Sequence, residues 1–516
     1  MSDNLQTTFD FDGNADVNTP LSSVRTCGTS LPDGYKGFAS FHKYWGKKPI
    51  EAWRFLIEKL TDPNSIVLDP FLGSGLIAKE CIDRERRFIG FDVNPISIEL
   101  TKLYLQAPDY IDLRDAVCRI ESRVRALINS MYLLSDGSLV THILWENDQI
   151  TRVWTKRGGR RIELNPTKNE IEGLQNVKMY EPRLLRRLRL FDNSRINSQR
   201  TYDFAELFTP RALQAIDLIK AEIALYSGDL KRALHLILSA SVGQMSKMVF
   251  AISKRNKNKD IKAKINKRMD SLSDRESIEV GSWVVGYWQP ARHFEINAWN
   301  CYATKAQKLL KAVGKAGLTK PVIISPSLKC FINKHQTAYI QQGDSEVLLK
   351  DIPTGTIRVV LTDPPHGDRI PYLELSEMWN GIIGLESNYE EELVVSDAKE
   401  RGKDILAYKK KLASTFHECA RVLEKNGILA FMFNTRSRHY WDSLHELEAT
   451  SGLAYLGCYP VAYSAGSILQ DNRKGGLKTD FVLLYGKTMS EEYRIRIIDT
   501  FRVTNGWTTR HPKEIY

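Results

Sequence analysis

Two short runs of this chain combine residue types that do chemistry. Asp363-Pro364-Pro365-His366-Gly367 ends a β-branched apolar run at residues 357–362. Two prolines cannot continue a central strand, so they stiffen a turn that fixes the directions of the Asp363 carboxylate and the neighbouring carbonyls. Far upstream, Asp69-Pro70-Phe71-Leu72-Gly73-Ser74-Gly75 closes a short apolar strand at 65–68 and opens a helix. Glycines at such a turn let the backbone approach a ligand closely. In an open parallel sheet the turn lies at the carboxyl edge, where ligands collect, and a nucleotide-like cofactor is gripped this way. Seventeen residues after Gly75, the strand 87–91 ends in Asp92. That is about the separation at which an acid meets ribose hydroxyls in dinucleotide-type folds. Either turn alone also reads as simple chain reversal.

The elements that must bring these runs together are short apolar strands. Residues 339–344, ending in Asp344, and the later runs 427–433 and 481–485 read as further strands of the same sheet. Between the two motifs, 137–165 alternates polar and apolar residues around Asp136-Gly137 and Gly158-Gly159. This predicts a hairpin-rich piece with strands at 139–145, 149–154 and 161–164. Helices are expected to dominate after it, one from Pro210 toward Tyr226 and another over 229–252. Basic side chains cluster at Arg183, Arg186, Arg187 and Arg189, and again from Lys254 to Arg268. Each group reads as a solvated face or as contacts to phosphates. The aromatic stretch Trp283 to Trp288, with His293, Phe294, Trp299 and Tyr302, reads first as core packing and second as a wall for a stacked base. Glu374 and Glu377 read as helix-face residues rather than a catalytic acid pair.

Composition bounds the class. At 516 residues and 42% apolar, the chain can bury two substantial cores. Its net charge of +11 suits a polyanionic partner. Seven cysteines without a Cys-x-x-Cys pair argue against a zinc ribbon and a secreted disulfide framework. The polar residues 1–35 lack an apolar signal region and read as a disordered lead. No stretch approaches a membrane span, and a cytoplasmic protein is expected.

The order and wording of these motifs resemble a family of S-adenosylmethionine-dependent amino-methyltransferases that methylate an exocyclic nitrogen of a nucleobase, mostly in DNA. The family's Phe-x-Gly-x-Gly turn is matched by Phe71, Gly73 and Gly75. Its Asp-Pro-Pro-aromatic segment is matched by Asp363, Pro364 and Pro365, with His366 where Tyr or Phe is usual. Residues 42–49 resemble the segment that packs on the cofactor's methionine end. The strand before Asp344 looks like the one whose acid contacts the cofactor's adenine.

The resemblance implies an α/β fold, a Rossmann-like methyltransferase sheet with a large, mostly helical inserted domain. It divides the chain into a lead at 1–35, a catalytic domain at 36–105 and 335–490, an inserted target-recognition domain at 106–334, and an extension at 491–516. It implies a cofactor set of Lys43, Tyr44, Asp69, Pro70, Phe71, Gly73, Gly75, Asp92, Asn94 and Asp344, with no metal. Asp69 and Asp92 also read as acids capping helix starts, and Asp344 as a turn acid. The implied catalytic set is Asp363, Pro364, Pro365 and His366. Asp363 and the Pro364 carbonyl would accept the two amino hydrogens, and His366 would stack on a flipped or unpaired base.

Adenine N6 is the expected target, because the first catalytic residue is Asp while cytosine-directed relatives more often carry Ser or Thr. The alternatives are an RNA base methyltransferase of the guanine N2 type and a non-catalytic protein that keeps the cofactor fold. DNA, and a restriction or defence-system protein, are the expected partners, with no membrane.

Overall fold

The computed structural model describes residues 8–9, 15–16 and 35–511, except 176–179, 186–189, 194–195, 198–202, 254–277, 284–285, 316–321, 334–335, 436–439, 442–443, 445–450, 463–478 and 505. Most of the 1–35 lead, most of the first basic cluster and the whole second cluster therefore lie outside the described residues.

Strand β1 (Ile66–Asp69) is short and apolar, and it leads through the glycine turn into helix Leu76–Asp83. β2 (Arg87–Asp92) follows, then helix Pro95–Leu105, whose proline occupies the first turn, where a missing N–H costs nothing. After the long helix Tyr110–Ser130, whose N-terminus is capped by Asp109, the chain forms β3 (Val140–Glu146), β4 (Gln149–Arg157) and β5 (Arg160–Leu164). Asn147 and Asp148, both at positive φ, make the tight turn between β3 and β4. Helices Pro210–Ile223 and Gly228–Met245 come next, then β6 (Val249–Ser253), β7 (Ile278–Trp283), β8 (Arg292–Ile296) and helix Ala298–Lys315.

The 106–334 segment is thus less helical than expected. Its hairpins belong to an antiparallel sheet ordered β5-β4-β3-β8-β6-β7. The helix expected over 229–252 stops at Met245, and Val249–Ser253 pairs instead with β7 and β8. The apolar β-branched end of that run is read by the sheet rather than by helical periodicity.

Beyond this segment come β9 (Ala338–Gln342), β10 (Ile357–Thr362), helix Tyr372–Ile383, helix Ile405–Val422, β11 (Leu423–Phe433), β12 (Leu453–Ala462) and β13 (Thr479–Lys487). The seven-stranded sheet is ordered β9-β2-β1-β10-β11-β13-β12. Its first five strands are parallel, and β13 runs antiparallel between β11 and β12.

The chain winds outward from β1 to β9 on one side and from β10 onward on the other. The β1/β10 boundary is therefore a topological switch point, where the carboxyl ends of neighbouring strands splay apart and leave a crevice. Both faces of the sheet are covered, each by its own apolar cluster. A third cluster joins the helices and strands of 106–334 to residues 38–45, to helix Pro95–Leu105 and to helix Tyr372–Ile383.

Candidate active site

The crevice at the switch point is lined by Tyr44, Asp69, Pro70, Phe71, Gly73, Asp92, Asn94, Asp344, Asp363 and Pro365 from the sequence-derived set. The glycine turn and the Asp363 turn, distant in sequence, open onto one pocket. They are also bonded: the Thr362 hydroxyl donates to Asp69 Oδ1 at 2.6 Å, and the Phe71 N–H donates to the same oxygen at 3.0 Å. Asp69 Oδ2 is buried with no hydrogen-bond partner among the described residues. Burial pushes the Asp69 carboxyl up to about 8, and Thr362 and the Phe71 amide only partly oppose that.

Asp92 holds the glycine turn in shape. Its Oδ2 accepts from the Gly73 N–H at 2.7 Å and the Ser97 hydroxyl at 2.9 Å, and its Oδ1 accepts from the Asn94 N–H. Burial raises this carboxyl to about 6. Gly73 sits at φ +55, with space beside it bounded by the Tyr44 ring at 3.5 Å. Gly75 has a different task. A Cβ there would come within 2.3 Å of Thr101 Oγ1, so this glycine lets helices Leu76–Asp83 and Pro95–Leu105 pack closely, and it does not line the pocket.

Asn94 is fully engaged. It donates to Ser376 at 2.9 Å and accepts from Asn380 at 3.2 Å, which ties the pocket wall to helix Tyr372–Ile383. Tyr44 stacks on Tyr372 with centroids 6.1 Å apart. Asp344 caps the short helix Ser345–Leu348 through Oδ1 and receives Lys411 Nζ at 2.6 Å on Oδ2, so its turn-acid character and its place in the pocket coexist.

Lys43 departs from the expected set. Its ammonium turns away from the pocket and lies over the rings of Trp45 at 4.7 Å and Trp283 at 4.3 Å. The apolar wall, and the aromatic faces that attract a cation, decide this direction. Burial lowers the Lys43 ammonium to about 8.

His366 is also buried and lies outside the pocket lining. Arg369 donates to its Nδ1 at 2.9 Å, which leaves the proton on Nε2, 3.3 Å from the Met432 carbonyl. Its ring tilts on Phe433 at 4.9 Å. Pro364 is buried and outside the lining, while the Pro365 carbonyl accepts from the Tyr408 hydroxyl at 2.5 Å.

Sequence reasoning did not select Lys48, Glu392, Lys411 or Asp480. Lys48 bridges Asp363 and Asp480, 3.0 Å from an oxygen of each. Glu392 lines the pocket, receives the Leu373 N–H and pairs with buried Arg401, which also holds Glu374 at 2.6 Å. Lys48 stood inside the quoted 42–49 segment, and its place beside a proline was the one signal available. Asp480 carried none.

The aromatic stretch from Trp283 packs as core. Trp283, Tyr287, Phe294, Trp299 and Tyr302 are buried, and Trp45 stacks on Trp379 at 5.3 Å beside Trp283.

Acids at the carboxyl ends of adjacent parallel strands, around a glycine turn at a switch point, define a nucleotide-cofactor fold. Residues 25–103 match the model of a family described as DNA methylase. Three curated relatives align over the same scale. The type II methyltransferase M.Cfr9I of Citrobacter freundii is 35% identical over 74 residues, 14% of this chain and 24% of that protein. M.XycI of Xanthomonas campestris pv. cyanopsidis is 38% identical over 71 residues, 14% and 23%. YubD, a protein of Escherichia coli (strain K12) that bears a methylase name, is 42% identical over 65 residues, 12% and 28%. The chain thus spans about a quarter of the length of these relatives. A solved rRNA methyltransferase, aviRa from Streptomyces viridochromogenes, is 11% identical over 95% of this chain and 98% of that one, with a TM-score of 0.24 that bears no weight for function.

Over residues 25–103, then, the chain is similar to DNA methylases. Among the described residues, no helix is long and apolar enough to cross a membrane.

Proposed function

We propose that this protein methylates an exocyclic amino group of a DNA base, with adenine N6 as the preferred target and S-adenosylmethionine as the methyl source. The observation that carries the reading is the shared pocket: the glycine turn after β1 and Asp363 after β10 face one crevice, joined by the Thr362–Asp69 bond.

The donor set suits a cationic, nucleoside-bearing cofactor. The orphaned, buried Asp69 Oδ2 is a polar atom in need of a partner, and the Gly73 turn leaves room for close approach. Tyr44, Asp69, Phe71, Gly73, Asp92, Asn94 and Asp344 would hold the cofactor. When bound, it supplies an activated methyl group on a sulfonium.

The chain's own residues then prepare the nucleophile. An exocyclic amino group is a poor one because its lone pair delocalises into the ring. Asp363 Oδ1 is buried and has no aligned hydrogen-bond partner among the described residues, although His366 Nε2 lies 3.2 Å away. That oxygen would accept one amino hydrogen and the Pro364 carbonyl the other, drawing the nitrogen toward tetrahedral geometry. Orientation and electrostatic complementarity supply the rate, with no covalent enzyme intermediate. Inside a duplex the base must be flipped out, or the substrate must be unpaired. A restriction or defence-system partner and the 106–334 segment as target reader belong to the same reading.

Incubation of DNA and, separately, total RNA with the protein and labelled cofactor, followed by nucleoside mass spectrometry, tests it. Label in N6-methyladenine is expected. Label in N4-methylcytosine would replace the target base, and label in RNA alone would overturn the DNA assignment. Asp363→Ala is expected to lower kcat by about 10²-fold or more, on the scale of losing one transition-state hydrogen-bonding group.

A further inference from the structure

We infer that Lys48, anchored by Asp480, is a positioning residue for amino-group methylation: it takes up one oxygen of Asp363 and leaves the other to receive the substrate's amino hydrogen. Lys48 Nζ is 3.0 Å from Asp363 Oδ2 and 3.0 Å from Asp480 Oδ2, and all three side chains are largely withdrawn from solvent, at 7%, 17% and 2% exposure. The two oxygens of Asp363 are therefore inequivalent. Oδ2 is committed to the ammonium, and Oδ1 is buried without an aligned partner among the described residues. An acceptor held in that state is preorganised, with only the poorly aligned His366 Nε2, 3.2 Å away, to give way to the base.

Asp480 is the second residue of β13, and Lys48 immediately precedes Pro49, the residue before helix Ile50–Leu60. Strand and helix start thus meet at the Asp363 turn through this lysine. Asp480 gives the lysine a second contact, so the ammonium is held from two elements rather than by Asp363 alone. Lys48 and Arg369 hold the Asp480 carboxyl below the usual range against the opposing effect of burial. Arg369, 3.9 Å from Asp480 Oδ1, also donates to His366, so the same anion steadies both ends of the catalytic turn.

This assignment rests on the methyl-transfer reading above. It is tested with Lys48→Met, Lys48→Arg, Asp480→Asn and the double variant Lys48→Met/Asp480→Asn, assayed for methyl transfer to DNA with cofactor and DNA titrated separately and with thermal unfolding measured alongside. Lys48→Met is expected to lower kcat roughly tenfold or more while the KM for cofactor moves by less than about threefold. Lys48→Arg is expected to recover much of the loss.

The double variant neutralises the anchoring acid that Lys48→Met deprives of its lysine. It is therefore expected to regain Tm without regaining kcat, a split that a purely structural lysine would not produce. The inference is overturned if the wild type is active and Lys48→Met keeps its kcat, or if kcat in the double variant returns together with Tm. A wild type that methylates neither DNA nor RNA overturns the proposed function and this inference with it.

Discussion

The Thr362 hydroxyl donates to Asp69 Oδ1 at 2.6 Å, and the bond joins the last residue of β10 to the last residue of β1 across the switch point. It couples the residue before Asp363 to the acid that opens the glycine turn.

Thr362→Val keeps the shape of the side chain and removes the donor. Asp69 then loses one of its two protein donors while remaining buried, which is expected to cost about 1–3 kcal/mol of stability. Chemical unfolding would read the loss, and cofactor titration should show weaker binding because the Asp69 carboxyl is no longer oriented.

Asp69 also predicts a pH dependence. Its carboxyl is raised from 3.8 to about 8 in the folded protein, so between those values the folded state holds a proton that the unfolded chain has released. Its contribution to stability is full below pH 3.8 and is lost as pH rises through about 8. Without ligand, the Tm of the wild type should fall more steeply over this window than that of Asp69→Asn. A cationic cofactor reverses the preference, so its binding should release protons. Calorimetry in buffers of different ionisation enthalpy would detect this, and buffer-independent heats would contradict it.

The two glycines of the turn should fail differently. Gly75→Ala places a Cβ 2.3 Å from Thr101 Oγ1 at φ +75 and is expected to cost about 1–3 kcal/mol, visible in unfolding before any assay is run. Gly73→Ala meets its nearest neighbour at 3.5 Å, but at φ +55. It should unfold nearer to wild type and lose cofactor affinity instead.

Arg401 neutralises two buried acids, Glu374 and Glu392. Arg401→Leu strands both carboxylates and is expected to destabilise by about 3–5 kcal/mol, the scale of breaking a buried ion pair from one side. Adding Glu374→Gln should recover part of that loss in the same unfolding measurement.

Much of the sheet was legible because its strands are short, apolar and bounded by turn residues. The run 357–362 is the observed strand Ile357–Thr362, and the hairpins at 140–164 fall where alternation placed them. Β-strand Leu453–Ala462 escaped notice, and the 229–252 helix was drawn too long. In both places long-range pairing, invisible to local periodicity, decides the outcome. The pocket residues Asp69, Gly73, Asp92 and Asp363 followed from turn chemistry and motif order. Lys48 and Asp480 did not, because an ion pair between distant segments leaves no spacing to read. The direction of Lys43 was set by Trp45 and Trp283, a neighbour that only the folded chain reveals.

Trp45, from the segment preceding the glycine turn, is wedged between Trp379 and Trp283, and the Tyr287 hydroxyl reaches the Glu374 backbone at 2.7 Å. Deleting 106–334 would therefore strip bare an indole face of Trp45, which lines the crevice, and the backbone acceptor of Glu374. Among the described residues, 106–334 shares one apolar core with the segments that flank the crevice, so its borders are not a clean seam.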